Sequence, residues 1–135
     1  MSDKIIDIEG IGAVYKEKLH KEGITTTDEL LNHCGSASGR RSMSGKIDVS
    51  EKVILEWVNR ADLMRISGVG EEYSDLLEHA GVDTVKELAT RNAENLADKM
   101  KEVNGDNKFT KITPSETVLE KWIAHAKTLA PKVTY

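Results

Sequence analysis

The residues whose types and spacing best support chemistry lie in two short glycine-containing segments. Ile8-Glu9-Gly10-Ile11-Gly12 and Ile66-Ser67-Gly68-Val69-Gly70 share the pattern apolar-x-Gly-apolar-Gly, and we call them the first and second glycine turns. Glycine adopts backbone angles that are closed to other residues and allows a partner to approach closely. A helix that starts after such a turn has unpaired amides at the positive end of its dipole. The pattern therefore favours phosphate binding at each turn.

The charges that follow the two turns differ. Lys16 and Lys18 follow the first turn and Lys21 lies one helical turn later, where the three lysines could flank a phosphate. The second turn is followed by three acidic residues, Glu71, Glu72 and Asp75. These carboxylates repel a phosphate, and we expect them to satisfy the amides of their own helix. The first turn is therefore the better candidate for phosphate.

Other basic residues form two looser groups. Arg40, Arg41 and Lys46 lie in a segment of small residues that runs from Gly35 to Gly45 and reads as a loop or one short helix. They supply either a second basic contact or a solvated loop, and the loop is the favoured interpretation. The second group has interspersed acidic residues and reads as ordinary mixed surface: Lys99, Lys101, Lys108 and Lys111.

The remaining reactive side chains do not combine into a catalytic or metal site. The single cysteine, Cys34, has only His33 beside it and no further ligand at a metal-binding spacing. The four histidines occupy non-equivalent positions and read as surface or boundary residues: His20, His33, His79 and His125. No metalloprotease helix, nucleophile elbow or phosphate loop with lysine is present. We expect no enzymatic activity, no metal and no cofactor.

The glycine turns belong to an internal repeat. The first turn aligns with the second at an offset of 58 residues, and the match extends through Leu30 and Leu88. Later the offset is 65, where the segment around Trp57 matches the segment around Trp122. Seven residues were gained between the two blocks, and the turn-forming residues from Asn104 onward place them in a longer loop of the second copy. We assign residues 1–64 to repeat 1 and 65–135 to repeat 2, within one domain.

Each repeat reads as helical, with end signals at matching positions. Gly23 and Gly81 are typical of Schellman stops that bring Ile24 and Val82 onto the preceding helix. Four helix starts are predicted from an N-cap residue followed three positions later by a glutamate. The first two fit reciprocal capping boxes, and the last places Pro114 at the first helical position. Their residues are Thr26 with Glu29, Thr84 with Glu87, Asp48 with Glu51, and Thr113 with Glu116. Trp57 and Trp122 lie on apolar faces and are predicted to be core.

Length, composition and charge bound the class of protein. With 135 residues, 39% hydrophobic and 31% charged, the chain can form a soluble globular domain without disulfides. The net charge is −4 and neither half is basic, whereas a polyanion-binding domain usually has a basic footprint. No apolar run is long enough to cross a bilayer, and the N-terminus lacks the pattern of a secretory signal. We expect a cytoplasmic protein that does not bind membranes.

The order helix, glycine turn, helix resembles the helix-hairpin-helix motif, most completely from Ser50 to Ala80. The first turn lacks a full preceding helix, so we expect the helix around Trp122 to pack there and close a pseudo-twofold. The whole arrangement is similar to the family known as domain of unknown function 4332. The resemblance implies an all-α fold: a compact single domain of two pseudo-symmetric helix-hairpin-helix units in a SAM-like bundle.

The helix-hairpin-helix resemblance implies contact with the backbone of duplex DNA, without readout of its sequence. The positions that match the motif in the first turn, with the lysines after it, are Gly10, Ile11, Gly12, Lys16 and Lys18. A weaker contact is expected at Gly68, Val69 and Gly70. The low basic charge predicts feeble, salt-sensitive binding. The alternative is a protein-interaction or self-association module that binds no nucleic acid, which the acidic second turn favours.

Overall fold

The computed structural model describes residues 3–135, with side chains for all of these except residues 106 and 107. A 3-10 helix, Ile5–Asp7, precedes eight α-helices in this part of the chain. They are α1 Ala13–Lys21, α2 Thr27–Cys34, α3 Ala37–Ile47, α4 Glu51–Leu63, α5 Glu71–His79, α6 Val85–Leu88, α7 Ala93–Asn107 and α8 Glu116–Ala126. The all-α class predicted from the sequence is confirmed. None of these helices is both long and apolar enough to span a membrane.

The predicted stops at the ends of α1 and α5 are confirmed. Gly23 and Gly81 have φ angles of +84° and +93°, in the left-handed region. The amide of Ile24 donates to the carbonyl of Leu19, and the amide of Val82 donates in the same way to Leu77. These are the six-to-one bonds of a Schellman motif, which satisfy carbonyls that the helix end would leave open.

The helix starts agree only in part with the predicted caps. At α2, Thr26 and Glu29 form the predicted reciprocal capping box. At α6, Thr84 accepts the amide of Glu87, but the carboxylate of Glu87 accepts the amide of Asp83. The carboxylate of Glu87 thus accepts the amide of the residue before the N-cap and not that of Thr84 itself. The predicted reciprocal box at Thr84 is therefore only half formed.

The predicted caps of α4 and α8 are wrong. Ser50 and Ser115 occupy the N-cap positions, and their hydroxyls accept the amides of Val53 and Val118. Asp48 instead ends α3 in the left-handed region, with φ +57°. Pro114 accordingly lies before the N-cap of α8 and not at the first helical position.

The segment from Gly35 to Gly45 is also more ordered than its composition suggested. Most of it lies in α3, an 11-residue helix that Ser36 caps by accepting the amide of Gly39. In the second repeat, α7 has 15 residues and carries Asn104 and Gly105 within its last turns. The extra residues of the second copy therefore extend this helix as well as the connection that follows it.

Two apolar clusters form the interior. The first core collects buried residues from Ile5 to Met64, including Trp57, which is 1% exposed. The second core collects buried residues from Leu63 to Ala126, including Trp122. Helix α4 contributes to both, because Leu63 lies in the second core while its neighbour Met64 lies in the first. Both tryptophans are core, as predicted.

Candidate functional site at the two glycine turns

The first glycine turn is held by its own backbone and by a tryptophan beneath it. The amide of Ile11 donates to the carbonyl of Ile8, and Ile11 itself is buried. Gly10 has φ +97°, and a Cβ atom at this residue would lie 3.3 Å from Nε1 of Trp57. Gly10 is therefore required for both its backbone angle and its close approach to the indole.

The second glycine turn has the same local contacts. The amide of Val69 donates to the carbonyl of Ile66, and Val69 is buried. Gly68 has φ +94°, and a Cβ atom there would lie 3.3 Å from Nε1 of Trp122. The expectation that the Trp122 helix packs at the first turn is therefore wrong: each turn rests on the tryptophan of its own repeat.

A tyrosine completes each tryptophan contact. The rings of Tyr15 and Trp57 are 5.3 Å apart between centroids, and those of Tyr73 and Trp122 are 5.2 Å apart. Such tilted and edge-on pairs add about 1 kcal/mol beyond the burial of area. The rings fix α1 and α5 against the helices that carry the tryptophans, so the first residues of α1 and α5 have defined positions beside the turns.

The first amides of α1 and α5 are not capped by side chains. Gly12 and Gly70 occupy the N-cap positions, and neither has a side-chain cap hydrogen bond. Among the described residues, the amides of Glu71, Glu72 and Tyr73 donate to no carboxylate of α5, so the expectation that the acidic residues after the second turn satisfy them is wrong. Both turns present exposed glycines next to a positive helix end.

The lysines that follow the first turn are not equivalent. Nζ of Lys18 donates to the carbonyl of Ile47 at 3.1 Å and lies 5.9 Å from the centroid of the Tyr15 ring. This ammonium therefore stabilises the end of α3 and is drawn away from the turn. Lys16 is half-buried and forms no ion pair with the described side chains, and Lys21 is exposed. Of the two lysines predicted as site residues, only Lys16 remains available.

A group of carboxylates adjoins the two turns. Burial raises the pKa of Glu71, and so do the charge and a side-chain hydrogen bond of Glu9, followed by the charges of Asp7 and Glu72. Glu9 belongs to the first turn and Glu71 opens the helix after the second, so the two turns lie near each other. We call Asp7, Glu9, Glu71 and Glu72 the acidic group. Sequence reasoning missed the contribution of Glu9 because 62 positions separate it from Glu71.

An open cleft of about 680 Å³ lies beside the second turn. Its wall combines the turn with two cationic side chains, Arg65 and Lys132, two acidic ones, Asp3 and Asp28, and the imidazole of His125. The amide of Ser67 donates to Nδ1 of His125 at 3.2 Å. The residues come from both ends of the chain, and no local sequence signal links them. Their opposing charges leave the cleft without a strong preference for anions.

Among the other candidate residues, Lys108 and Lys111 line an open cleft together with Glu72 of the acidic group. Arg40 is buried, whereas Arg41, Lys46, Lys99, Lys101, Lys108 and Lys111 are exposed. Cys34 is fully buried, and desolvation raises the pKa of its thiol to about 11, so it stays protonated and unreactive at neutral pH. No group of three or more His, Cys, Asp or Glu side chains in the described chain is arranged to hold a metal.

These features define an all-helical protein with two exposed glycine turns, each built over a tryptophan, and an acidic group between them. The sequence matches the family described as Domain of unknown function (DUF4332) over residues 9–129, and the chain belongs to that family. A search of curated proteins finds no match. A search of solved structures finds none either.

Proposed function

We propose that this protein is a non-enzymatic helix-hairpin-helix module that binds a protein partner at the face formed by its two glycine turns. The observation that carries the proposal is the acidic charge at the two turns: Asp7 and Glu9 lie at the first turn, and Glu71 and Glu72 begin α5 after the second. Four carboxylates next to two uncapped helix ends disfavour a polyanion and favour a partner with basic side chains.

Apolar exposure around the first turn supports the same partner class. Val14, the second residue of α1, is 67% exposed, and Tyr15 and Ile6 are each 37% exposed. Aromatic and aliphatic side chains with a charged rim are typical of protein interfaces, whereas a DNA-binding face carries lysine or arginine at such positions. A cytoplasmic location stays a prediction.

Weak binding of duplex DNA through the first turn is the second candidate function. It is supported by the uncapped amides after Gly12 and by Lys16, which is the basic side chain still available next to Gly10, Ile11 and Gly12. Lys18 contributes less, since its ammonium is bonded to Ile47. The second turn, Gly68, Val69 and Gly70, has the same backbone without an adjacent lysine on α5. With so few phosphate contacts, affinity must fall steeply as salt rises.

A DNA titration separates the two candidates. The full chain is titrated against a short fluorescent duplex at low and at moderate salt, together with Lys16→Glu and the matched exposed control Lys101→Glu. We expect no DNA binding at moderate salt. Any binding at low salt should be equal in the unmodified chain and in Lys16→Glu. Binding that is lost in Lys16→Glu and kept in Lys101→Glu would establish the DNA function and refute the protein-partner proposal for this face.

A crosslinking experiment tests the protein partner directly. A photo-reactive residue is placed at Val14 in the full chain, and crosslinking is measured in cells. The test variant combines Glu9→Gln and Glu71→Gln. The control variant combines Glu116→Gln and Glu120→Gln, at exposed positions of α8. We expect a crosslinked protein species that the first pair weakens and the control pair does not. Equal crosslinking in both pairs would contradict the proposal, and light scattering would show whether the partner is a second copy.

A further inference from the structure

The segment 129–135 follows α8 and contacts both cores. Leu129 packs against the second core, whereas Val133 packs against the first. Between these two residues the chain belongs to no helix or strand. Three residues, 130–132, thus carry the chain from one apolar cluster to the other, which makes the segment a direct link between the two cores.

Arg40 fixes the far end of the segment. This arginine of α3 is 5% exposed, and its guanidinium donates to the carbonyls of Cys34, Gly35 and Thr134, the last at 2.6 Å. Its Cζ lies 6.0 Å from the centroid of the Tyr135 ring. A buried cation loses its hydration and must recover hydrogen bonds from the protein. Loss of Thr134 would therefore leave part of a buried charge unsatisfied.

Gly35 makes room for the segment. The amide of Thr134 donates to the carbonyl of Gly35 at 2.8 Å. A Cβ atom at Gly35 would collide with the carbonyl oxygen of Lys132, although the φ of Gly35, −65°, suits any residue. Glycine is needed at this position for close approach of a second backbone and not for its torsion angles.

Arg65 fixes the near end beside the cleft. Its guanidinium donates to the carbonyl of Ala130 at 2.8 Å and to Oδ1 of Asp62 at 2.7 Å. Asp62 is 1% exposed and therefore holds the arginine in a defined position. Leu129 and Lys132 line the cleft next to the second glycine turn, so the segment forms one of its walls.

We propose that segment 129–135 is a strap that joins the two cores and keeps the cleft beside the second glycine turn assembled. The strap is held by two arginines, one from each repeat, and by the backbone pairing at Gly35. Its release frees Lys132 and Leu129 and removes one wall of the cleft beside the second turn.

Hydrogen exchange of the full chain tests the strap at two amides. The amide of Thr134 reports its far end and the amide of Ser67, bonded to His125, reports the cleft. In Arg40→Met we expect both amides to exchange about tenfold faster, because local opening becomes easier. In the adjacent exposed control, Arg41→Met, we expect no change. Faster exchange at Thr134 with unchanged exchange at Ser67 would overturn the proposal.

Val133→Ser serves as the deciding variant if Arg40→Met speeds exchange along the whole chain. Val133 is half-buried, packs at the edge of the first core and lies outside the helices, so Val133→Ser should weaken the strap more than it weakens helix packing. The matched control is Val118→Ser on α8, at a residue that is 37% exposed. Faster exchange at Ser67 in Val133→Ser but not in Val118→Ser supports the strap. Equal exchange at Ser67 in the two variants overturns the proposal.

Discussion

At the scale of single residues, burial and charge decide which groups are reactive and which are structural. The glycine turns show this for backbone atoms, since Gly10 and Gly68 each combine a left-handed φ with a tryptophan ring beneath. Among side chains, Glu78 on α5 is the most perturbed acid. It lies 3.4 Å from Arg60, yet burial raises its pKa to about 6, and the charges of Asp83 and Glu56 add to this. Burial therefore outweighs the ion pair.

Glu78→Gln should stabilise the protein at pH 7.5 and remove part of its pH dependence. Because the folded pKa, about 6, exceeds the unfolded value of 4.5, the stability from protonating Glu78 is fully present below pH 4.5 and is lost as the pH rises through 6. We expect a gain of about 1 kcal/mol at pH 7.5, below the roughly 2 kcal/mol that the pKa difference allows, because Gln loses the charge pairing with Arg60. Urea unfolding at pH 5 and 7.5 measures it.

The exposed variant Glu102→Gln is the control for this pH effect. Glu102→Gln should leave the free energy of unfolding unchanged at both pH 5 and pH 7.5. A loss of stability in Glu78→Gln at pH 7.5 would mean that the ion pair with Arg60 outweighs burial. Arg60 keeps its second partner, Asp75, at 3.2 Å in the variant, so the arginine is not left unpaired.

At the scale of elements, local hydrogen bonds end the helices, but apolar anchoring selects where α4 and α8 begin. The sequences Asp48-x-x-Glu51 and Thr113-x-x-Glu116 both fit an N-cap followed three residues later by a glutamate, yet the serines two residues after Asp48 and Thr113 are the caps. These caps put a buried residue before the helix and another in its first turn: Val49 and Ile54 for α4, Pro114 and Leu119 for α8. That is the arrangement of a hydrophobic staple, and it fixes the angle of entry.

The two possible caps of α8 are distinguished by alanine substitution. Ser115→Ala removes the acceptor for the amide of Val118 and should lower the free energy of unfolding by about 1 kcal/mol. Thr113→Ala, at the position that the sequence pattern favours, should change it by less than about 0.5 kcal/mol. Thermal and urea unfolding of both variants give the comparison, and a larger loss in Thr113→Ala would contradict the cap at Ser115.

At the scale of the whole molecule, α4 and the strap connect the two cores. Asp62 of α4 accepts the amide of Val85 at the start of α6 and one N–H of Arg65, which in turn holds Ala130 of the strap. One buried carboxylate thus organises a helix start and a chain segment that are distant in sequence. Its position also explains why Arg65, which lines the cleft, is not free to bind a ligand.

Asp62→Ala should be among the most destabilising substitutions in the chain. It leaves the Arg65 guanidinium and the Val85 amide without their buried acceptor, and breaking such a pair costs about 3 kcal/mol. The exposed control Asp98→Ala on α7 should have an effect below about 0.5 kcal/mol. Urea unfolding with a two-state fit measures both, and equal effects would show that Asp62 has no organising role.

The sequence by itself determined the features that depend on neighbouring residues. Glycine torsion angles at the turns, the stops at Gly23 and Gly81, the cap at Thr26 and the apolar faces of Trp57 and Trp122 all depend on spacing within one or two helical turns. The same local logic predicted the all-α class. It left the segment from Gly35 to Gly45 open between a loop and one short helix, because the burial of Arg40 and Met43 supports a helix that propensity alone does not favour.

The tertiary structure decided what lies next to what. It placed each tryptophan under the turn of its own repeat, bonded Lys18 to the end of α3, and brought Glu9 beside Glu71. It also laid the strap over Gly35. These contacts join residues tens of positions apart, and their energies depend on the distance and burial that packing sets. Charge along the chain favoured the first turn for phosphate, whereas charge in space gives both turns acidic neighbours.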